Sequence, residues 1–272
     1  MTARDVFRAL RLALSSGKTG AMEDFQELKS GRLIIDRHRK LGDFTLKNTD
    51  LNVSISKEAE SRKIIFDDAT PSGTFFEAGG RDGDLTYLLG FSQNFEHDDA
   101  TYLKNRERFD RKFRYLGNDL APQPGKNITQ GDICAPDFIE KSGISEGLAA
   151  VVYSNNVFEH LRRPWIAAQN IYRILQPGGV CLTIVPFSQR HHESPGDYFR
   201  YTHTGIGSLF EDAGPIELIT AGYDIKGRRN NWQGQGKAND IVPLDAFGAW
   251  RETWFTFHAF RKPAVAAKMP DA

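Results

Sequence analysis

The sequence predicts an α/β chain built on a doubly wound sheet of mostly parallel strands with an antiparallel last strand, preceded by an extension of helix and short strands. Three observations carry this expectation. Thr74, Phe75 and Phe76 form an apolar run that leads through Glu77 into Gly79, Gly80 and Gly83, and then into a helix marked by Leu85, Leu88 and Leu89. Residues 148–186 read as an apolar strand, an amphipathic helix, a Pro177-Gly178-Gly179 stop and a second apolar strand, which together make a βαβ unit. These strands are continuous hydrophobic runs rather than alternating ones, as parallel strands covered by helices on both faces require.

At 272 residues and 40% hydrophobic, the chain can bury one large domain plus an extension. The expected division is residues 1–70 for the extension and 71–272 for the domain. Lys and Arg number 35, as do Asp and Glu, so no global field draws the protein to nucleic acid, and no nucleic-acid partner is expected. Cys134 and Cys181 lie beside apolar segments, far from CxxC or metal-ligand spacing, and read as buried free thiols. No apolar run approaches 18 residues, so no membrane-spanning helix is expected. The start, interrupted by Arg8 and Arg11, lacks the apolar core of a signal peptide, which gives a cytoplasmic reading. Residues 4–14 place Val6, Phe7, Leu10 and Leu14 opposite Arg4, Arg8 and Arg11. Such a helix either docks on its own domain or lies on a membrane surface.

Along the extension, residues 33–35, 44–46, 53–55 and 64–66 read as short β-like pieces separated by turn residues, and Pro71-Ser72-Gly73 closes it. After the glycine turn, residues 93–112 are polar, with a helix expected around Asp99 to Phe109. The strand over 113–119 ends in an acid, Asp119. In a doubly wound sheet a carboxylate closing the second strand faces ribose hydroxyls, and can accept from both. Glu96 and Asp98 in the polar insert are the alternatives for this role. A third strand is expected within 127–133, the fourth over Ala149 to Tyr153, and the fifth over Val180 to Pro186. Thr202 is a capping residue for a helix carrying Ile206, Leu209 and Phe210, ended by Gly214. Strands over 216–221 and 254–261 flank a long polar loop, residues 227–240.

The glycine turn narrows the ligand. A dinucleotide fingerprint begun at Gly79 would need glycines where Arg81 and Asp84 stand, and the only Gly-Lys-Thr has Leu12 where a P-loop needs its first glycine. A cofactor with a ribose and an adenine but no pyrophosphate suits what remains.

In this, Glu77, Gly79 and Gly83 resemble the E/DxGxGxG motif of class I S-adenosylmethionine-dependent methyltransferases, with Arg81 in place of the middle glycine. Residues 148–187 are similar to that family's fourth-strand, helix and fifth-strand block, down to Glu159-His160 after one strand and Arg173-Ile174-Leu175-Gln176-Pro177-Gly178-Gly179 before the next. Residues 191–214 resemble the HxxPxDYxRxTxxGL segment of a subgroup with a type 11-like methyltransferase domain, active in polysaccharide and natural-product pathways. The likeness spans roughly residues 73–263. It implies a Rossmann-like fold and S-adenosyl-L-methionine as cofactor. It also implies cofactor contacts at Glu77, Ala78, Gly79, Gly80, Arg81 and Gly83 in the turn, at Asp119 and Leu120 for the ribose, at Asp132 and Ile133 for the adenine, and at Ser154 and Asn155.

Methyl transfer is a one-step displacement governed by alignment and exclusion of water, with help from a base. No metal cluster or nucleophile triad is visible, and no metal is expected. His192 is the candidate base, with Asp197 and Arg200 to orient it; the competing reading has His192 and Arg200 tying their loop to the next helix. Glu159-His160 reads as structural, opening a helix against the sheet. The acceptor expected is a small molecule, a sugar, or a polysaccharide or natural product methylated on oxygen. A cofactor-binding protein without catalysis, and an N-methyltransferase acting on a protein or small amine, are the alternatives. Asn155-Asn156-Val157 lacks the Pro-Pro-aromatic signature of base methylation. Trp232, Trp250 and Trp254 either stack on an acceptor or belong to a core.

Overall fold

The computed structural model describes residues 51–52, 55–83, 85–90, 99–189, 191–192, 195–228 and 252–264. They contain one eight-stranded sheet. In chain order its strands are β1 (Leu51–Asn52), β2 (Gly73–Ala78), β3 (Phe113–Asp119), β4 (Ile128–Gln130), β5 (Ala149–Asn155), β6 (Leu175–Ser188), β7 (Glu217–Arg228) and β8 (Glu252–Arg261). Their order in space is β1-β7-β8-β6-β5-β2-β3-β4. Every pairing is parallel except those of β8, which runs antiparallel to both β6 and β7. The expected doubly wound sheet with an antiparallel last strand is therefore present. The chain winds outward from β2 through β3 to β4, then returns to lay β5 and β6 on the other side of β2. The winding reverses between β2 and β5, where Ala78 stands beside Ser154, and the carboxyl ends of strands flanking such a reversal form a ligand crevice.

Both faces of the sheet are covered, which explains why its central strands are apolar throughout. Phe75, Val151, Tyr153, Leu182 and Ile184 face one core, shared with helices α1 (Lys57–Ile65), α2 (Thr86–Gly90) and α3 (Asp99–Lys112). Their neighbours in sequence, Phe76, Val152, Cys181 and Val185, face the other. There they meet α4 (Phe138–Ser142), α5 (Pro164–Ile174) and α6 (His203–Glu211). Alternate residues of a strand point to opposite faces, so each strand feeds both cores.

The local signals explain most boundaries. Pro164 opens α5, where its missing N–H costs nothing, and Gly178, near the start of β6, takes a φ of 77°. Thr202 accepts from the Gly205 N–H at 3.0 Å and caps α6 as expected. One expectation is corrected. Ile64 and Ile65 end helix α1 and are not strand, and Phe66 is its C-cap. The β-branched pair looked like strand, but Ser56 caps the segment by accepting from Ala59 N–H, and Glu58 and Glu60 lead while Arg62 and Lys63 close it, as the helix dipole favours. Both isoleucines are buried in the first core. Ile55 N–H donates to Tyr223 O at 3.2 Å, and Lys57 N–H to Asp224 Oδ2 at 3.0 Å, which ties the start of α1 to β7.

Cys134 and Cys181 are free and buried, and burial pushes their thiols up to about 11 and about 12. No helix among the described residues is long and apolar enough to cross a membrane. The amphipathic stretch 4–14, the strand-like pieces at 33–35 and 44–46, Glu96, Asp98, Trp232 and Trp250 lie outside the described residues.

Candidate active site

The turn after β2 is crowded, and the crowding explains its glycines. Gly79 has a φ of 74°, and a Cβ there would stand 2.4 Å from Val157 Cγ2. A Cβ on Gly80 would meet Tyr115 Oη at 2.6 Å and Glu77 Oε2 at 2.7 Å. Tyr115 lies across Gly117, whose missing side chain leaves the room, and its hydroxyl donates to Glu77 Oε2 at 2.6 Å. Burial first, then the Glu77 charge, holds the Tyr115 phenol well above its usual range, so it stays a donor. Glu77 is thus a fixed carboxylate at the strand end. Ala78 is buried, Arg81 is exposed, and Gly83 takes a φ of 66°.

The ends of β3 and β4 are stitched together beside this turn. Buried Asn118 donates to the carbonyls of Thr129 and Gly131 at 3.1 and 3.2 Å, and accepts at its own carbonyl from Gly80 N–H at 3.0 Å. Asp119 accepts from Ala121 N–H at 3.0 Å, and Asp132 from Cys134 N–H at 2.8 Å. Each carboxylate retains further lone pairs for a ligand. Leu120 is exposed, while Ile133 is buried in the second core. At the end of β5, Ser154 Oγ and Asn155 Oδ1 are buried without a hydrogen-bond partner. Such orphaned groups call for an occupant.

A second cluster forms where the segments after β5 and β6 meet. Phe158–His160 is a 3₁₀ turn. The Glu159 carbonyl accepts from Tyr198 N–H at 2.7 Å, and the Phe158 carbonyl from Tyr201 Oη at 3.1 Å, so the turn and the later loop are one unit. Within it Arg200 grips Asp197 with two nitrogens, the Nη2 contact at 2.7 Å, and Asp197 Oδ2 accepts from His192 N–H at 2.7 Å. These bonds, the one from Arg200 first, hold the Asp197 carboxyl well below the usual carboxylate range. His192 Nδ1 lies 3.5 Å from Asp197 Oδ2. His160 Nδ1 is held by Gly196 O at 2.5 Å, and the two imidazoles meet edge to face at 5.0 Å. Glu159 is fully buried between them. Burial pushes its carboxyl up to about 7.

Residues from both clusters line a cavity of about 560 Å³. Leu120 and Asp132 line one side; His160, Pro195 and Tyr198 line the other. The volume lies in the range that accommodates small ligands. Residues 107–183, which include β3 to β5 and much of β6, match the family model described as a methyltransferase domain. Over that stretch the chain resembles a methyltransferase domain. Consistent with this, it is 34% identical over 80 residues to an uncharacterized methyltransferase of Mycobacterium avium, an alignment covering 27% of this chain and 31% of that protein. The matched stretch thus spans less than a third of that relative's length. Among solved structures, a putative methyltransferase from Bacillus halodurans is similar at 14% identity and a TM-score of 0.49, covering 77% of this chain and all of that one. The trans-methyltransferase CalH, solved with SAH, is similar at 14% identity and a TM-score of 0.46, covering 88% and 65%.

The fold brings the turn residues, strand-end acids and the His192, Asp197 and Arg200 group to the carboxyl edge of the sheet. Sequence reasoning left out three members. Tyr115 is signalled only by an aromatic two residues before a glycine in β3. Glu159 and His160 form a 3₁₀ turn ahead of α5 and do not open it, and their side chains stand at the centre of the second cluster.

Proposed function

We propose that this methyltransferase domain uses S-adenosyl-L-methionine to methylate a hydroxyl of a small-molecule or saccharide acceptor. The observation that carries the reading is the cavity shared by the ends of β3 and β4 and the loop after β6. Residues on its two sides can then serve two partners at once. The residues at the neighbouring ends of β2, β3 and β5 fit the cofactor: a turn without side chains at Gly79 and Gly80, carboxylates at Glu77 and Asp119, and buried polar atoms on Ser154 and Asn155 without a hydrogen-bond partner. When bound, that cofactor supplies a methyl group on a positively charged sulfur.

Glu77, pinned by Tyr115, would bind a cationic or N–H-bearing part of the ligand. Asp119 would accept from the ribose hydroxyls, and Asp132 from the adenine amino group beside Ile133 and Leu120. On the second side, the cluster of Glu159, His160 and His192 would seat the acceptor hydroxyl. It would also receive the proton that the hydroxyl gives up. Alignment of two held reactants contributes up to about 7–11 kcal/mol to lowering a barrier, and a base about 10²- to 10⁴-fold in rate.

Calorimetric titration with S-adenosylmethionine and S-adenosylhomocysteine tests the reading, with saturable micromolar binding expected for both. Absence of heat and of any thermal shift with either would remove it. Binding of both without methyl transfer to any of a pooled set of hydroxylated acceptors would favour a cofactor-binding protein without catalysis.

A further inference from the structure

We propose that Glu159, His160 and His192 form a binding site for one divalent first-row transition ion. Their ligand-capable atoms lie within 4.8 Å of one another. Glu159 Oε1 stands 3.7 Å from His160 Nε2 and 4.0 Å from His192 Nε2. Ligand atoms 2.0–2.2 Å from a tetrahedral ion stand about 3.3–3.6 Å apart, so each Glu159–histidine pair needs to contract by only a few tenths of an ångström.

Two further features point to a cation. Glu159 is 0% exposed, and neither of its carboxylate oxygens accepts a hydrogen bond. A buried carboxylate in that state lacks the partner that buried charge demands. The imidazoles are also held from behind in the manner of metal ligands. His160 Nδ1 faces the Gly196 carbonyl, so Nδ1 carries the proton and Nε2 turns toward Glu159. His192 Nδ1 lies beside Asp197 Oδ2, itself fixed by Arg200. A carbonyl behind one imidazole and a carboxylate behind the other are the supports that set the tautomer and direction of ligating histidines. At 3.7 and 4.0 Å the Glu159–histidine contacts are too long for hydrogen bonds, and an ion between them would satisfy all three groups.

Two imidazoles and one carboxylate suit manganese through zinc rather than calcium or magnesium, which prefer all-oxygen sets. His160 lines the 560 Å³ cavity, which offers an entry path and room for exchangeable ligands. The chemical role of the ion rests on the methyltransferase reading: it would lie where it can polarise an acceptor hydroxyl, and His192 would then be a ligand and not the base. No spacing in the sequence announces the site, because its ligands come from two segments separated by α5 and β6.

The test uses the full chain stripped with a chelator and dialysed, titrated with cobalt(II) chloride by visible absorption and with zinc chloride by calorimetry. One ion per chain is expected, with the cobalt bands of an N,O site. His160→Ala and His192→Ala should each weaken binding about tenfold or more at unchanged thermal melting, while His191→Ala binds as the parent does. Glu159→Gln extends the test where its melting matches the parent. No saturable binding, binding unchanged in the His160 and His192 variants, or loss in His191→Ala instead would overturn the proposal. S-adenosylhomocysteine titrated into the same metal-free protein separates the two readings. Cofactor binding without a cobalt site contradicts the metal alone; a cobalt site without cofactor binding contradicts the methyltransferase reading alone.

Discussion

Two carboxylates at the carboxyl edge of the sheet, on neighbouring strands or just beyond them, have opposite surroundings. Glu77, at the end of β2, is half-buried and accepts a 2.6 Å hydrogen bond from Tyr115. Glu159, in the turn after β5, is wholly buried, accepts none, and has its carboxyl pushed up to about 7 by burial. An unsatisfied buried group costs stability, and such costs concentrate where a function uses them. Under the proposed function, the β2 side would recognise the cofactor and the β5–β6 side would handle the acceptor.

The comparison can be broken most directly by removing an imidazole from the second half. His192→Ala should lower kcat by about 10²- to 10⁴-fold. Steady-state kinetics at saturating cofactor would measure it, and near-parent turnover would reduce the cluster to scaffold.

The next effect separates site from frame. His258, on β8, lies buried against Phe210 and Phe260, and burial, aided by His203, lowers its pKa to about 4 from an ordinary 6.5. Between those values the unfolded chain takes up a proton that the folded chain refuses. Stability is fully present above pH 6.5 and falls by about 3 kcal/mol as the pH drops toward 4. Urea unfolding at pH 7.5 and 4.5 would show this loss, and His258→Leu should flatten it. An unchanged slope in that variant would place the acid sensitivity elsewhere.

On the cofactor side, Asp119→Ala should cost about 1.5–3 kcal/mol of cofactor affinity, through lost bonds to a charged acceptor. That is about a ten- to hundredfold rise in Kd. Unchanged affinity would move the ribose contact to another acid. The smallest effect is Tyr115→Phe, which removes the Tyr115 donor from Glu77. A loss of about 1–3 kcal/mol in stability is expected from chemical denaturation, and a neutral result would mean that Glu77 finds another partner.

How legible the molecule was follows from how far each signal reaches along the chain. Strand β3 with its terminal Asp119, the Thr202 cap and the β5–α5–β6 unit depend on neighbouring residues, and they stand where the sequence puts them. Ile64 and Ile65 misled because two β-branched residues outweighed the charge order and Ser56 cap that precede them. Tyr115 reaches Glu77 only because parallel pairing sets Gly117 between them, and no one-dimensional pattern records that register. The Glu159, His160 and His192 cluster was hidden for the same reason: backbone bonds from Tyr198 and Phe199 to the Glu159 carbonyl bring two distant loops together.

The central claim, that the two halves of the site have separate tasks, is tested most directly by titrating S-adenosylhomocysteine into the parent, Asp119→Ala and His192→Ala proteins side by side. Micromolar binding is predicted for the parent, a tenfold or greater weakening for Asp119→Ala, and parent-like affinity for His192→Ala. No binding to the parent, or equal weakening in both variants, would contradict the claim.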